Sequence, residues 1–197
     1  MGAQNPIVDR DEANARLDEL VLYVCDRVDR PADLGAVKLQ KIFWFSDTEL
    51  YAQRRRALTE ARYVKGPHGP MSFDIQNSIK RLKKAGRLVE QAGTGRSEAR
   101  RKFFAVTPAD LSKFSGDEIS ILDAMIDAIT RNFTAGQISE ATHDRVWEAA
   151  ELGESLPLWT IYANEHTPPD AEDLAWAKSS LTASELDWSE REMRRKG

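Results

Sequence analysis

The stretch from Gly35 to Asp47, reading Gly-Ala-Val-Lys-Leu-Gln-Lys-Ile-Phe-Trp-Phe-Ser-Asp, constrains this chain more than any other. Set on a helix at about 100° per residue, Leu39, Ile42, Phe43, Ser46 and Leu50 share one face. Val37 and Trp44 fall on nearly the opposite side, and Phe45 sits on a flank. A helix apolar on more than one side would leave part of that surface wet if it lay flat on a domain. It therefore belongs in the middle, packed on at least two sides. Its polar residues, Lys38, Gln40, Lys41 and Asp47, are confined to the gaps between apolar rows.

The neighbouring sequence supplies the packing partners. Asp9 or Asp11 caps a first helix running to about Val28, apolar at Leu17, Leu20, Val21, Val24 and Val28, and Arg30-Pro31 ends it. The central helix is expected from about Asp33 to Gln53, followed by an irregular connection and a short extended piece, Ala61–Val64. Lys65-Gly66-Pro67-His68-Gly69-Pro70 then holds two Gly-Pro-type pairs in six residues, which predicts a tight, stiff turn without regular structure. A helix from about Ser72 to Lys84 turns Ile75, Ile79 and Leu82 inward and stops at Ala85-Gly86. Leu88–Gln91 and Phe103–Val106 read as two strands joined by a long polar loop containing Gly93 and Gly95.

Ser115 and Glu118 form a capping box for a helix to about Asn132. Thr134 opens another helix or pair of turns, and Leu156-Pro157-Leu158-Trp159 begins a last packed segment. Thr167-Pro168-Pro169 marks a boundary. The expected organisation is a mainly α domain over residues 1–166 with one small β-hairpin wing near 88–106, and a helical appendage over 167–197 that packs peripherally or against another copy.

Several function classes lose their usual signals. No apolar run approaches the ~20 residues of a membrane span, and Met1–Pro6 lacks the basic-then-apolar layout of a signal peptide. With a single cysteine, Cys25, there is no internal disulfide framework. A cytosolic protein with no membrane partner is the expectation. His68, His143 and His166 lie far apart and show no zinc-type spacing. Phosphate loop, dinucleotide fingerprint and nucleophile elbow are all missing, so neither metal nor cofactor nor catalytic group is expected.

Charge is unevenly spread. Lys80 to Lys102 holds nine basic and two acidic residues, a local balance of +7, where the whole chain carries −4. That asymmetry fits a polyanion or an acidic protein surface. The helix end Ile79–Gly86 followed by Arg100–Thr107 resembles a recognition helix and the wing of winged-helix proteins. Lys80, Arg81, Lys84, Arg100, Arg101 and Lys102 are its candidate polyanion-binding residues. The connection before that helix is the rigid Gly-Pro turn rather than a short turn from a preceding helix, which favours a winged-helix-like shape over sequence-specific DNA binding.

Three separated pieces together resemble the SocA-like antitoxin family, also called the Panacea domain, common in bacteria and phages. Val37-Lys38-Leu39-Gln40-Lys41-Ile42-Phe43-Trp44-Phe45 is similar to its Lys-Leu-Gln-Lys helix. Tyr63-Val64-Lys65-Gly66-Pro67-His68-Gly69-Pro70 is similar to its aromatic-x-x-Gly-Pro turn, and Ser139–Asp144 with Trp147 to its late Thr-His segment. Order and spacing agree over about residues 15–165. The basic hairpin is longer than the family's, and the stretch after Thr167 does not align.

The resemblance implies a non-enzymatic antitoxin that binds and neutralises a toxin protein, usually encoded nearby. Some members look like adaptors delivering the toxin to a cytosolic protease. It places the motif on Lys38, Gln40, Lys41, Gly66, Pro67, Pro70, Thr142, His143 and Trp147. For Gly66, Pro67 and Trp147 scaffold roles are expected, for Thr142 a helix cap, and for His143 a bond to a buried carbonyl. Lys38, Gln40 and Lys41, meeting the turn Gly66-Pro67-His68-Pro70, make the candidate partner-binding patch. A winged-helix DNA-binding regulator is the alternative, and an enzyme of unrecognised type the third.

Overall fold

The computed structural model describes residues 9–92 and 101–163. The chain divides into two units, Met1–Ile161 and Tyr162–Gly197, and the elements that position the site lie in the first. Residues 167–197, expected as a helical appendage, lie outside the described residues. Helix α1 (Arg10–Arg27) is capped by Asp9, whose carboxylate accepts the backbone N–H of Asp11 and Glu12. A 3-10 turn at Pro31–Asp33 takes up Asp33, where the next helix was expected to start, and α2 runs from Ala36 to Arg54.

Helix α2 is central. Leu39, Ile42, Phe43 and Leu50 are fully enclosed. Helix α4 (Gly116–Asn132), strand β2 (Gly69–Ser72) and helix α5 (Ala135–Glu140) pack around it. Truncating a side chain such as Phe43 in this setting costs about 3–5 kcal/mol, because the cavity left behind cannot collapse fully. Helix α1 packs on α3 (Phe73–Lys84) and on β4 (Arg101–Ala105), covering the other side of the core.

The Gly-Pro segment departs from expectation. It does not exclude regular structure: β1 (Tyr63–Gly66) and β2 form an antiparallel hairpin in which Tyr63 faces Ser72 and Lys65 faces Pro70. The residues 153–156 run along the other side of β1. There Lys65 N–H donates to the Glu154 carbonyl at 2.8 Å and Leu156 N–H to the Tyr63 carbonyl at 2.8 Å. Strand β2 is therefore the edge, and proline is tolerated at an edge because it owes no ladder N–H there.

Ser72 caps α3, and Gly86, at φ 70°, turns the chain out of that helix into β3 (Leu88–Ala92). Strands β3 and β4 pair antiparallel, Leu88 opposite Ala105, and form the expected wing. Its loop, including Gly93, Gly95 and Arg100, lies outside the described residues. Ser115 and Glu118 close their capping box on α4, and Thr134 and Gln137 do the same for α5. Helix α6 (Arg145–Ala149) and a 3-10 turn, Leu158–Ala163, follow. Leu156 is buried, but Trp159 is 60% exposed, so the segment expected to pack holds by its leucine and not by its tryptophan. Among the described residues the fold is mainly α, with two small antiparallel hairpins where one was expected. Among the described residues no helix is long and apolar enough to cross a membrane.

Candidate functional site

The outward edge of β2 is completed by side chains of α2. The Gln40 carboxamide donates from Nε2 to the Ser72 carbonyl at 3.1 Å and accepts the Ser72 N–H at Oε1 at 2.8 Å. One turn-neighbour later, Lys41 Nζ donates to the Pro70 carbonyl at 2.9 Å. The chemistry of each partner fits. Serine exposes one donor and one acceptor along the edge, and glutamine supplies both complements. Proline exposes an acceptor only, and an ammonium supplies only donors. Buried backbone groups left unpaired cost about 1–3 kcal/mol each, so these contacts fix the hairpin to the core.

The third motif grips the hairpin from the opposite end. Trp147 Nε1 donates to the Gly66 carbonyl at 3.3 Å, and Lys65 Nζ lies 4.2 Å from the centre of the Trp147 ring. The same ammonium donates to the carbonyls of Glu148 and Ala150 at 3.3 and 3.0 Å. Gly69 has φ 89°, and a Cβ there would stand 2.1 Å from Thr142 Oγ1 and 2.4 Å from Lys41 Nζ. Only glycine fits that junction.

One expected role is corrected here. Thr142 closes a helix turn, its hydroxyl donating to the Ser139 carbonyl at 2.7 Å at the end of α5, while Asp144 caps α6 by accepting Trp147 N–H. His143 bonds no buried carbonyl. Its ring stacks flat on Trp147, centres 3.7 Å apart, with Nε2 3.5 Å from Ser139 Oγ. Burial and then the nearby Lys41 charge hold the His143 imidazole below its usual range.

Lys41 is the most unusual group of the set. Its side chain is 1% exposed, and burial pushes its pKa down to about 7. Among the described residues no carboxylate forms an ion pair with it; its recorded hydrogen bond is to a neutral carbonyl. A second buried ionisable group, Asp47, was not legible as part of any site. Thr59 donates its N–H and hydroxyl to the two carboxylate oxygens at 2.7 and 2.6 Å, and Tyr63 O–H donates at 2.6 Å. Burial nonetheless pushes Asp47 up to about 6 and Tyr63 well above its ordinary value. Tyr63 meets Trp44 edge to face, centres 4.9 Å apart, so Asp47 ties α2 to the start of the hairpin.

Pro67 and His68 form the exposed tip of this braced hairpin. Beside it opens a cavity of about 540 Å³ between α2, α3 and the wing. Val37, Ile79 and Phe103 supply apolar wall, while Lys41, Lys80, Lys83 and Arg101 supply cations. Lys38 does not join the patch. It is buried toward α4, with Nζ donating to the Thr130 carbonyl at 3.2 Å.

The basic stretch is less basic in space than along the chain. Arg81 is paired with Asp18 at 2.6 Å and Arg87 with Glu19 at 2.7 Å, both carboxylates on α1. Lys83 and Arg101 share Glu90 across the wing. Of the candidate polyanion-binding residues, Lys80, Lys84 and Lys102 have no ion pair among the described residues, and Arg100 lies outside them.

The stretch that builds this junction is also the stretch that compares with known proteins. The family model described as antitoxin SocA-like, Panacea domain, matches residues 39–148, more than half of the chain and narrower than the expected span. Within it lie Gln40, Lys41, the whole Gly66–Pro70 turn and Thr142–Trp147; Lys38 falls one residue before it. No curated protein and no solved structure matches the chain.

Proposed function

Because this chain belongs to the antitoxin SocA-like family marked by the Panacea domain, we propose that it is a binding protein that neutralises a partner toxin encoded nearby. The observation that carries this reading is the bracing of the Gly66–Pro70 turn. Its base is held from α2 by Gln40 and Lys41 and from α6 by Trp147, while Pro67 and His68 stay exposed at the tip. A turn fixed before binding loses little conformational entropy when a partner docks, which is what a tight protein–protein contact needs. The toxin docks on the tip and the adjoining cavity, and the complex is handed to a cytosolic protease where the chain acts as an adaptor.

The alternative, DNA binding through the wing, draws on fewer cations than the sequence suggests, because Arg81, Arg87, Lys83 and Arg101 are already paired within the fold. Co-expression separates the readings. The product of the neighbouring gene alone should arrest growth, and this chain should restore growth and co-purify with that product. Arrest without rescue and without co-purification removes the antitoxin reading.

A further inference from the structure

We propose that the cavity beside Lys41 accepts a carboxylate side chain, Asp or Glu, from a protein partner. The inference rests on the antitoxin reading for the identity of that partner, but the site itself is built into this chain.

Three observations carry it. The cavity, about 540 Å³, is in the size range that takes a single anchoring group with its flanking apolar atoms. Its charge is one-sided: Lys41, Lys80, Lys83 and Arg101 line it against one carboxylate, Glu90, which is already shared by Lys83 and Arg101. And Lys41, 99% buried among its lining residues, has a carbonyl for a partner where a buried ammonium ordinarily has a carboxylate. A carboxylate entering here supplies the missing counter-charge in a place already shielded from water, where a charge-assisted hydrogen bond is strong.

A side chain fits better than a chain end. Terminal carboxylates are held by nests of backbone N–H groups. On this rim Pro67 and Pro70 have none. The charged donors on offer are ammonium and guanidinium groups, which suit an acidic side chain reaching in from a partner surface.

Binding should also charge Lys41. With the carboxylate in place its ammonium form is favoured, so occupancy draws a proton and tightens as pH falls from about 9 toward 7. The other charged groups around the cavity are His68 on the hairpin, Lys80 and Lys83 on α3, and Glu90 and Arg101 on the wing; His143, itself acted on by Glu140 and Lys65, feels the Lys41 charge from the far side of α5.

The test follows the Lys41 side-chain resonance of the full-length protein by NMR, assigned by its loss in Lys41→Met, through a pH titration. The probes are the blocked tripeptide acetyl-Ala-Glu-Ala-amide, its Gln counterpart, acetyl-Ala-Ala-Ala with a free carboxylate, and inorganic phosphate. The Glu peptide should raise the Lys41 pKa by at least one unit, a tenfold change in proton affinity, and Lys80→Gln should weaken its effect severalfold. No movement with the Glu peptide overturns the proposal. So does an equal effect of the Gln peptide, a stronger effect of the free chain end, or an equal effect of phosphate, which would mark respectively an apolar groove, a terminus site and a general anion site. The toxin is not used, so failure here leaves growth rescue intact, and failure of rescue leaves this result intact.

Discussion

Gly69 and Thr142, seventy-three residues apart in sequence, approach so closely that a single methyl group on the glycine would stand 2.1 Å from the threonine hydroxyl oxygen. The contact joins the second and third motifs, with Lys41 of the first motif 2.4 Å from the same point. Gly69→Ala adds a clash to a backbone at φ 89°, which non-glycine residues adopt only with strain. The expected loss is about 2–4 kcal/mol of stability by denaturant unfolding. Thr142→Ala should recover part of it in the double mutant, because it removes the hydroxyl that the new methyl meets; strictly additive effects would contradict the contact.

Asp47 gives a pH dependence of unusual sign. Its pKa is raised by burial from 3.8 to about 6 in the folded chain, so between these values the folded state holds a proton that the unfolded state has lost. Stability therefore falls as pH rises through this window, by up to about 1.4 kcal/mol per unit for one proton. Asp47→Asn, which keeps an acceptor for Thr59 N–H, should remove this slope. A wild-type minus Asn difference that rises with pH between about 4 and 6 would contradict it.

Lys41 acts in the opposite direction at higher pH. Its pKa is lowered from 10.5 to about 7, so between these values the unfolded chain holds the extra proton and stability rises with pH. Lys41→Met keeps the buried volume and removes the charge. The variant should be flat where wild type rises, measured as unfolding free energies from pH 7 to 10. Parallel profiles would show that Lys41 is not a buried titrating group.

The wing separates partner classes. Lys84→Ala and Lys102→Ala together should leave growth rescue unchanged within twofold, because neither residue lines the proposed toxin site at the hairpin tip and the adjoining cavity. If the chain instead works by binding duplex DNA, the same double variant weakens binding and flattens its salt dependence, since each lost phosphate contact reduces the slope by about one.

Much of the helical frame was legible because its signals are local. Asp9, Ser72, Ser115 with Glu118, and Thr134 sit where caps must sit, and the apolar spacing of α2 required a central position. The first hairpin was hidden because Gly66-Pro67 and Gly69-Pro70 break regular structure almost everywhere except at a sheet edge. That β2 is such an edge depends on residues 153–156, far along the chain. Asp47 was equally hidden: its partners Thr59 and Tyr63 are brought to it only by the fold. Gln40 and Lys41 meet the turn, whereas Lys38, two residues before Gln40 and so nearly opposite it around the helix, donates to the Thr130 carbonyl. The run of basic residues misled for the same reason, since Asp18 and Glu19 come from α1.

The central claim is that a turn braced from three motifs is the surface through which the toxin is bound. Isothermal titration of the neighbouring gene's product against wild type and against Pro67→Ala/His68→Ala tests it most directly, since both tip residues are exposed and their truncation leaves the bracing contacts in place. Saturable binding at a fixed stoichiometry is predicted for wild type, with affinity at least tenfold weaker, about 1.4 kcal/mol, in the variant at an unchanged thermal midpoint. Equal affinity of the two proteins, or no binding by either, would contradict it.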